Sequence, residues 1–323
     1  MVGRIARGPV IVAFATIYAI WGSTYLALAL ALQSLPPFLL VGARSVAAGL
    51  ILLGIERSRS GALPPAGAWM PAALGGLLLF VGCHGSLAYA QQYVPSGLAA
   101  VMIATVPFWF VLLNFATAVR RRPNIASLFG LIPGLAGVAL IAWRRISPGS
   151  SSVEPAMVLL LLGSALSWAA GSLVGQRRAA GVSAIALAGM QLVCGGAVLL
   201  AASGLVGEWK AFTLGGVSAI SWAGFAYLTL AGSVTAYTAY VWLLDRVPGS
   251  LVTTYTFITP IIALLLGWTF LGERLSAQML LGTILIIGSV ILVWRLEPES
   301  GGRKDVPDLS SRSVRPSGVY TVL

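Results

Sequence analysis

The sequence predicts an all-α polytopic membrane protein with ten transmembrane helices arranged as two inverted five-helix repeats. Three observations predict it: an apolar excess that no soluble core could hide, a series of spans long enough to cross a bilayer, and a self-similarity between the halves at offsets of 147 to 153 residues.

Of 323 residues, 58% are hydrophobic and 9% charged, and the mean hydropathy is +0.92. Soluble domains run at roughly 45–50% apolar and 25% charged, so lipid must serve as part of this chain's solvent. The 38 glycines suit close helix packing, and the 10 tryptophans suit anchoring at membrane interfaces. The formal charge of +11 sits mostly at helix ends, where it orients the chain in the membrane and implies no nucleic-acid partner. Cys83 and Cys194 both fall inside apolar stretches and are read as small buried hydrophobes, not as a disulfide. The first apolar segment lacks a small-residue cleavage site and is read as a retained helix, not a signal peptide.

About 20 apolar residues span a ~30 Å hydrocarbon core. Such spans fall at 9–31, 36–55, 70–93, 96–119, 125–143, 155–175, 183–205, 214–244, 249–271 and 277–294. Residues 1–8 precede them, 144–154 form a linker between the halves, and 295–323 are a polar tail expected to be disordered. Arg4, Arg7, Arg57, Arg59, Arg120, Arg121, Arg122, Arg177, Arg178 and Arg246 fall on one side, together with the basic tail. Arg144, Arg145, Lys210 and Arg274 fall on the other. That bias places both termini in the cytoplasm, with Arg144 and Arg145 breaking the rule.

The repeat is read from paired motifs. Val94-Pro95-Ser96-Gly97-Leu98 through Val106-Pro107 recurs as Val247-Pro248-Gly249-Ser250-Leu251 through Thr259-Pro260, an offset of 153. Gly137 to Trp143 echoes Gly288 to Trp294 at 151. Trp21 pairs with Trp168, and Gly42-Ala43-Arg44 with Gly189-Met190-Gln191, both at 147. Five spans is an odd number, so the second half starts from the opposite side of the membrane. Halves inverted in this way are a recurring device of secondary transporters, since they let a central site face either side.

These stretches also resemble a known family. Trp21-Gly22-Ser23-Thr24-Tyr25-Leu26-Ala27, Pro36-Pro37, the helix bearing Arg44, and Pro260-Ile261-Ile262-Ala263 are similar to the EamA-type branch of the drug/metabolite transporter superfamily. The most specific match is Leu271-Gly272-Glu273-Arg274-Leu275-Ser276 leading into Gly282. The first helix and its spacing to Arg44 resemble the YedA-like subgroup of inner-membrane exporters. The resemblance covers residues 9–294 and implies ten helices in two repeats. It also implies export of small metabolites, with amino acids or related compounds the best match and no cofactor.

Charges inside spans are functional candidates by default. Arg44 and His84 are the two here, and no Asp or Glu lies within a span. Counted from the outer helix ends at 1.5 Å per residue, Arg44 lies about 12 Å deep, His84 about 13 Å and Trp21 about 15 Å. The offsets assign counterparts: Trp168 to Trp21, Gln191 to Arg44, and Tyr237 to His84. These six, with Tyr25 and Tyr255, are the expected substrate-binding residues around a central cavity. Arg44 either faces water there, where its guanidinium suits a carboxylate or phosphate, or bonds backbone carbonyls of neighbouring helices. His84 fits close packing as well as it fits substrate contact, and the tryptophans fit packing. Pro107 and Pro260 are expected to kink the fourth and ninth helices and are candidate gates, ordinary bends being the competing reading. Gly130, Gly134 and Gly137 let the fifth helix pack against a neighbour or against a partner chain in a homodimer.

An enzyme would need paired carboxylates, an activated nucleophile or metal ligands, and the spans hold none. No filter-like loop or charged ring points to a channel. Missing intramembrane carboxylates also argue against exchange of lipophilic cations for protons. A small-molecule transporter in the lipid bilayer remains. The alternatives are a flippase or carrier for a lipid-linked or phosphorylated sugar, or a multidrug exporter.

Overall fold

The computed structural model describes residues 7–117, 129–143, 154–175, 181–244, 246–247, 252 and 255–296. The arginines at 4, 120–122, 144, 145, 177 and 178, most of the linker, Pro248 and the tail from 297 lie outside the described residues.

Among the described residues every regular element is a helix. Six helices are long and apolar enough to cross a membrane. They are α1 (Gly8–Ala31), α2 (Pro37–Ser60), α3 (Ala66–Ala90), α7 (Pro155–Gly175), α8 (Ala184–Leu205) and α10 (Ala219–Leu244). Shorter apolar helices lie between and after them: α4 (Ser96–Ile103), α5 (Val106–Thr117), α6 (Leu131–Trp143), α11 (Tyr255–Leu271) and α12 (Ala277–Leu296). A single turn, α9, covers Glu208–Ala211. Large apolar side chains point outward, such as Met70 at 78% and Leu159 at 68% exposure. Such a surface suits hydrocarbon and not water.

Three boundaries differ from the sequence reading. The eighth span begins at Ala219, because Gly215 and Gly216 sit in a separate turn and the Ser218 hydroxyl caps the helix by accepting from Ser221 N. The third helix starts four residues earlier than expected, at Ala66. The fourth span is two helices, broken by a turn at Ala104–Thr105. Pro107 has no N–H to bond the carbonyl of Ile103, and its ring crowds that carbonyl. Pro107 is therefore the second residue of α5, not a kink inside a continuous helix, whereas Pro260 does lie within α11.

The centre of the bundle is the antiparallel pair α2 and α8. Gly42 faces Gly196 and Gly49 faces Gly189, and the offset of 147 that relates Gly42 to Gly189 and Gly49 to Gly196 exchanges these two contacts. A Cβ on Gly49 would lie 2.8 Å from Gly189 O, and one on Gly196 would lie 2.9 Å from Gly42 O, so backbone meets backbone. The ends are tied as well. Glu208 accepts from Phe38 N at 3.2 Å and Leu39 N at 2.8 Å at the start of α2. At the far end, Ser183, which caps α8, donates its hydroxyl to Glu56 at 2.8 Å.

The other interfaces recur with the halves exchanged. α1 packs on α10 as α7 packs on α3, and α1 packs on α11 as α7 packs on α4 and α5. α6 packs on α12, where a Cβ on Gly137 would lie 2.7 Å from Gly282 O. The glycine face of the fifth helix is therefore filled from within the chain.

Candidate functional site

α3 and α10 each carry a nine-residue π-helical stretch of wider turn, Leu77–Gly85 and Leu228–Ala236. These match at an offset of 151. A wide turn displaces carbonyls from the helical ladder, and such stretches often occur at functional sites. Side chains here meet those carbonyls. His84 Nδ1 donates to Leu79 O and Thr235 Oγ1 donates to Leu230 O, both at 2.9 Å. Ser167 Oγ donates to Leu78 O at 2.8 Å. The match corrects one expectation: the counterpart of His84 is Thr235, and Tyr237 corresponds to Ser86. The offset of 153 belongs to the proline-bearing helices downstream.

The two stretches line one cavity. It encloses about 730 Å³, open mouth included, and is lined from α1, α2, α3, α4, α7, α10 and α11. Of the candidates, Trp21, Tyr25, Arg44, His84, Trp168, Tyr237 and Tyr255 line it. Gln191 does not. It is buried behind the wall, where Tyr237 donates its hydroxyl to Gln191 Oε1 at 2.5 Å. Gln191 therefore holds Tyr237 in place. Pro260 lies beside the lining residue Thr259, and Pro107 is not on the wall.

The walls are largely aromatic. Trp21 sits edge-on to Trp168 at 5.6 Å and to Tyr255 at 4.8 Å. His84 stacks on Phe80 at 5.3 Å and meets Trp168 edge-on at 5.3 Å. Such edge-to-face pairs are worth about 0.5–1.5 kcal/mol beyond their burial. Tyr240, which sequence reasoning missed, closes the cluster behind these rings. It lies 5.1 Å from Trp21 and donates to Ser172 Oγ at 3.0 Å. Its signal was present as the Tyr237-x2-Tyr240 spacing, which puts both rings on one helix face. Ser233 was missed for want of any signal, being one serine in a small-residue run.

Arg44 is the one charged lining residue among those described, and it is 4% exposed. Its Nη1 donates to Ser233 Oγ at 3.3 Å, and its Nε has no hydrogen-bond partner among the described residues. Of the two readings of Arg44, bonding to backbone carbonyls is not seen among the described residues. The guanidinium meets the aromatic cluster at Gly232–Ser233, since Trp21 Nε1 donates to Gly232 O at 3.5 Å. Cys83, expected to be only a buried hydrophobe, also lines the cavity, and both cysteines are free.

Glu273, on which the sequence reading drew no conclusion, has a structural place. Gly272 takes φ +65, which turns the chain back, and Glu273 then accepts from Ser96 N and Ser96 Oγ at 2.6 Å and Gly97 N at 3.1 Å. A second-half carboxylate thus caps a first-half helix, as Glu208 does for α2.

The sequence matches the EamA-like transporter family over residues 8–143 and 155–295. It is 36% identical over 287 residues to the "Uncharacterized inner membrane transporter YedA" of Escherichia coli (strain K12), covering 88% of this chain and 90% of that protein. It is 29% identical over 295 residues to "Protein PecM" of Dickeya dadantii (strain 3937), covering 89% and 93%. A solved crystal structure superposes with a TM-score of 0.65 at 19% identity, over 91% of this chain and 100% of its own, which speaks to the fold alone.

Proposed function

The chain belongs to the EamA-like transporter family, and on that premise we propose that it is a secondary transporter that exports small metabolites by alternating access through the central cavity. Ten spans in two inverted repeats carry it, set in the inner membrane with both termini cytoplasmic. The substrates are amino acids or related compounds. The observation that carries the reading is the reciprocal packing of α2 on α8, Gly42 to Gly196 and Gly49 to Gly189. It is what two equivalent halves related by an in-plane two-fold would produce, and such halves support two mirror-related states around one site. The location draws on the name of the Escherichia coli relative and on the arginine bias. A sugar-phosphate carrier is less well supported, because aromatic walls offer a polyol few hydroxyl partners.

A metabolite-export screen tests the reading. Cells overproducing the protein should release some small metabolite faster than cells producing Arg44→Ala at equal membrane abundance. Purified protein in proteoliposomes should then move that metabolite. Full transport by Arg44→Ala would sink the proposed role of the cavity.

A further inference from the structure

We propose that, within the class of amino acids and related compounds, this cavity selects the related aromatic organic anions, compounds that pair a flat ring with one carboxylate and carry no free ammonium, over the amino acids themselves. The proposal rests on the transporter reading for what happens after binding, and on the cavity alone for recognition.

The charge balance carries it first. Arg44 is buried, bonded once to a neutral hydroxyl, and keeps its Nε without a partner among the described residues. No carboxylate lines the cavity among those residues. A buried guanidinium without a counter-ion is costly unless something anionic arrives. A carboxylate can take two parallel N–H bonds from it.

The walls then choose the rest of the molecule. Trp21, Trp168, Tyr237 and Tyr255 offer ring faces and edges, with Thr24, Ser233 and Thr259 as the small hydroxyls. A flat ring packs well there, and a polyol would leave its hydroxyls unpaired.

An α-ammonium fares worse. Aromatic faces attract cations, but here they share a low-dielectric cavity with a fixed positive charge and no acid to accept the ammonium protons. Removing the ammonium should therefore tighten binding.

The probe is radiolabelled 3-phenylpropanoate, bound to the full chain purified in detergent, with unlabelled competitors. The acid itself should compete at least about tenfold better than phenylalanine, its amino-acid analogue. It should also outcompete propanoate, which lacks the ring, while 2-phenylethylamine should not compete. Arg44→Gln should weaken the acid by about ten- to a hundredfold, the range for a lost charge-assisted bond. Arg44→Lys should keep the preference for acid over amine, and with the wild-type competition order it decides the matter if Arg44→Gln fails to fold.

Equal competition by phenylalanine or phenylethylamine would overturn the proposal, as would the lack of saturable acid binding at millimolar concentration. Saturable acid binding without flux in proteoliposomes would refute the transporter reading and leave the recognition standing. Flux of another class of compound without acid preference would do the reverse.

Discussion

A methyl group added at Gly49 should destabilise the protein, while the same group added five residues on, at Gly54, should not. A Cβ on Gly49 would lie 2.6 Å from Val193 Cγ2 and 2.8 Å from both Val193 N and Gly189 O. Two of those atoms are backbone, so no rotamer change relieves them and α2 must move away from α8. Overpacking a close-packed contact costs about 1–3 kcal/mol. Replacing a mid-helix glycine by alanine returns about 0.5–1 kcal/mol of helix propensity, leaving a net loss centred on about 1 kcal/mol and reaching at most about 2.5 kcal/mol. At Gly54 nothing lies within 4 Å, so only the propensity gain remains. Gly196→Ala should match Gly49→Ala, because its Cβ would meet Gly42 O and Val46 N at 2.9 Å. The assay is reversible unfolding by SDS from bicelles, followed by far-UV circular dichroism. If Gly49→Ala proved as stable as Gly54→Ala, the central α2–α8 contact would not be the one described.

Three further outcomes are expected. Glu273→Gln replaces an oxygen facing amide donors with an NH2 group, and should cost about 1–2 kcal/mol on the capping scale by the same unfolding assay; Glu273→Asp should recover part of it. Tyr237→Phe keeps the ring but removes the donor to buried Gln191, which should cost about 1–3 kcal/mol and weaken ligand binding through a displaced ring, measurable in the binding assay. In a Cys83→Ala, Cys194→Ala background, Thr24→Cys on the cavity wall should react with a small membrane-impermeant thiol reagent, while Ser172→Cys, buried behind Tyr240, should not. Equal labelling at both positions, or none at Thr24→Cys, would count against a water-filled cavity.

The sequence carried the scaffold well because the scaffold is written in types that stand out. A glycine among leucines, a proline pair or a lone arginine at mid-span is visible without coordinates, and the offset of 147 already paired Gly42 with Gly189. What it missed followed from local geometry. The two wide-turn stretches have no compositional mark beyond small residues, so the register of His84 was taken from the nearest visible motif and came out two residues wrong. Gln191 was placed on the wall because its counterpart Arg44 is there. Depth along a helix says nothing about which way a side chain turns, and the Tyr237 hydroxyl holds Gln191 behind it. Pro107 and Pro260 share a sequence frame yet differ in role. A helix can bend around a proline or stop before it, and neighbouring contacts settle which.

The distribution of matched and unmatched positions bears on mechanism. Positions that repeat between the halves include those where backbone meets backbone or where the helix widens: Gly42 and Gly189, Gly49 and Gly196, Leu77–Gly85 and Leu228–Ala236. On the cavity wall Trp21 and Trp168 repeat, whereas polar positions that face or support the cavity have diverged: Arg44 against Gln191, His84 against Thr235, Ser86 against Tyr237. On the proposed cycle this division has a physical use. Equivalent packing keeps the inward- and outward-facing states close in energy, so that little work separates them. Two equivalent linings would place a second arginine at Gln191, and the two buried cations would repel each other across one bundle. A single Arg44 gives one site with one charge preference, reached from whichever side is open. Gln191→Arg tests that account: it should destabilise the fold, through a second buried charge beside Tyr237, by more than Gln191→Leu does. A Gln191→Arg protein as stable as Gln191→Leu would show that the asymmetry of the lining has no electrostatic origin.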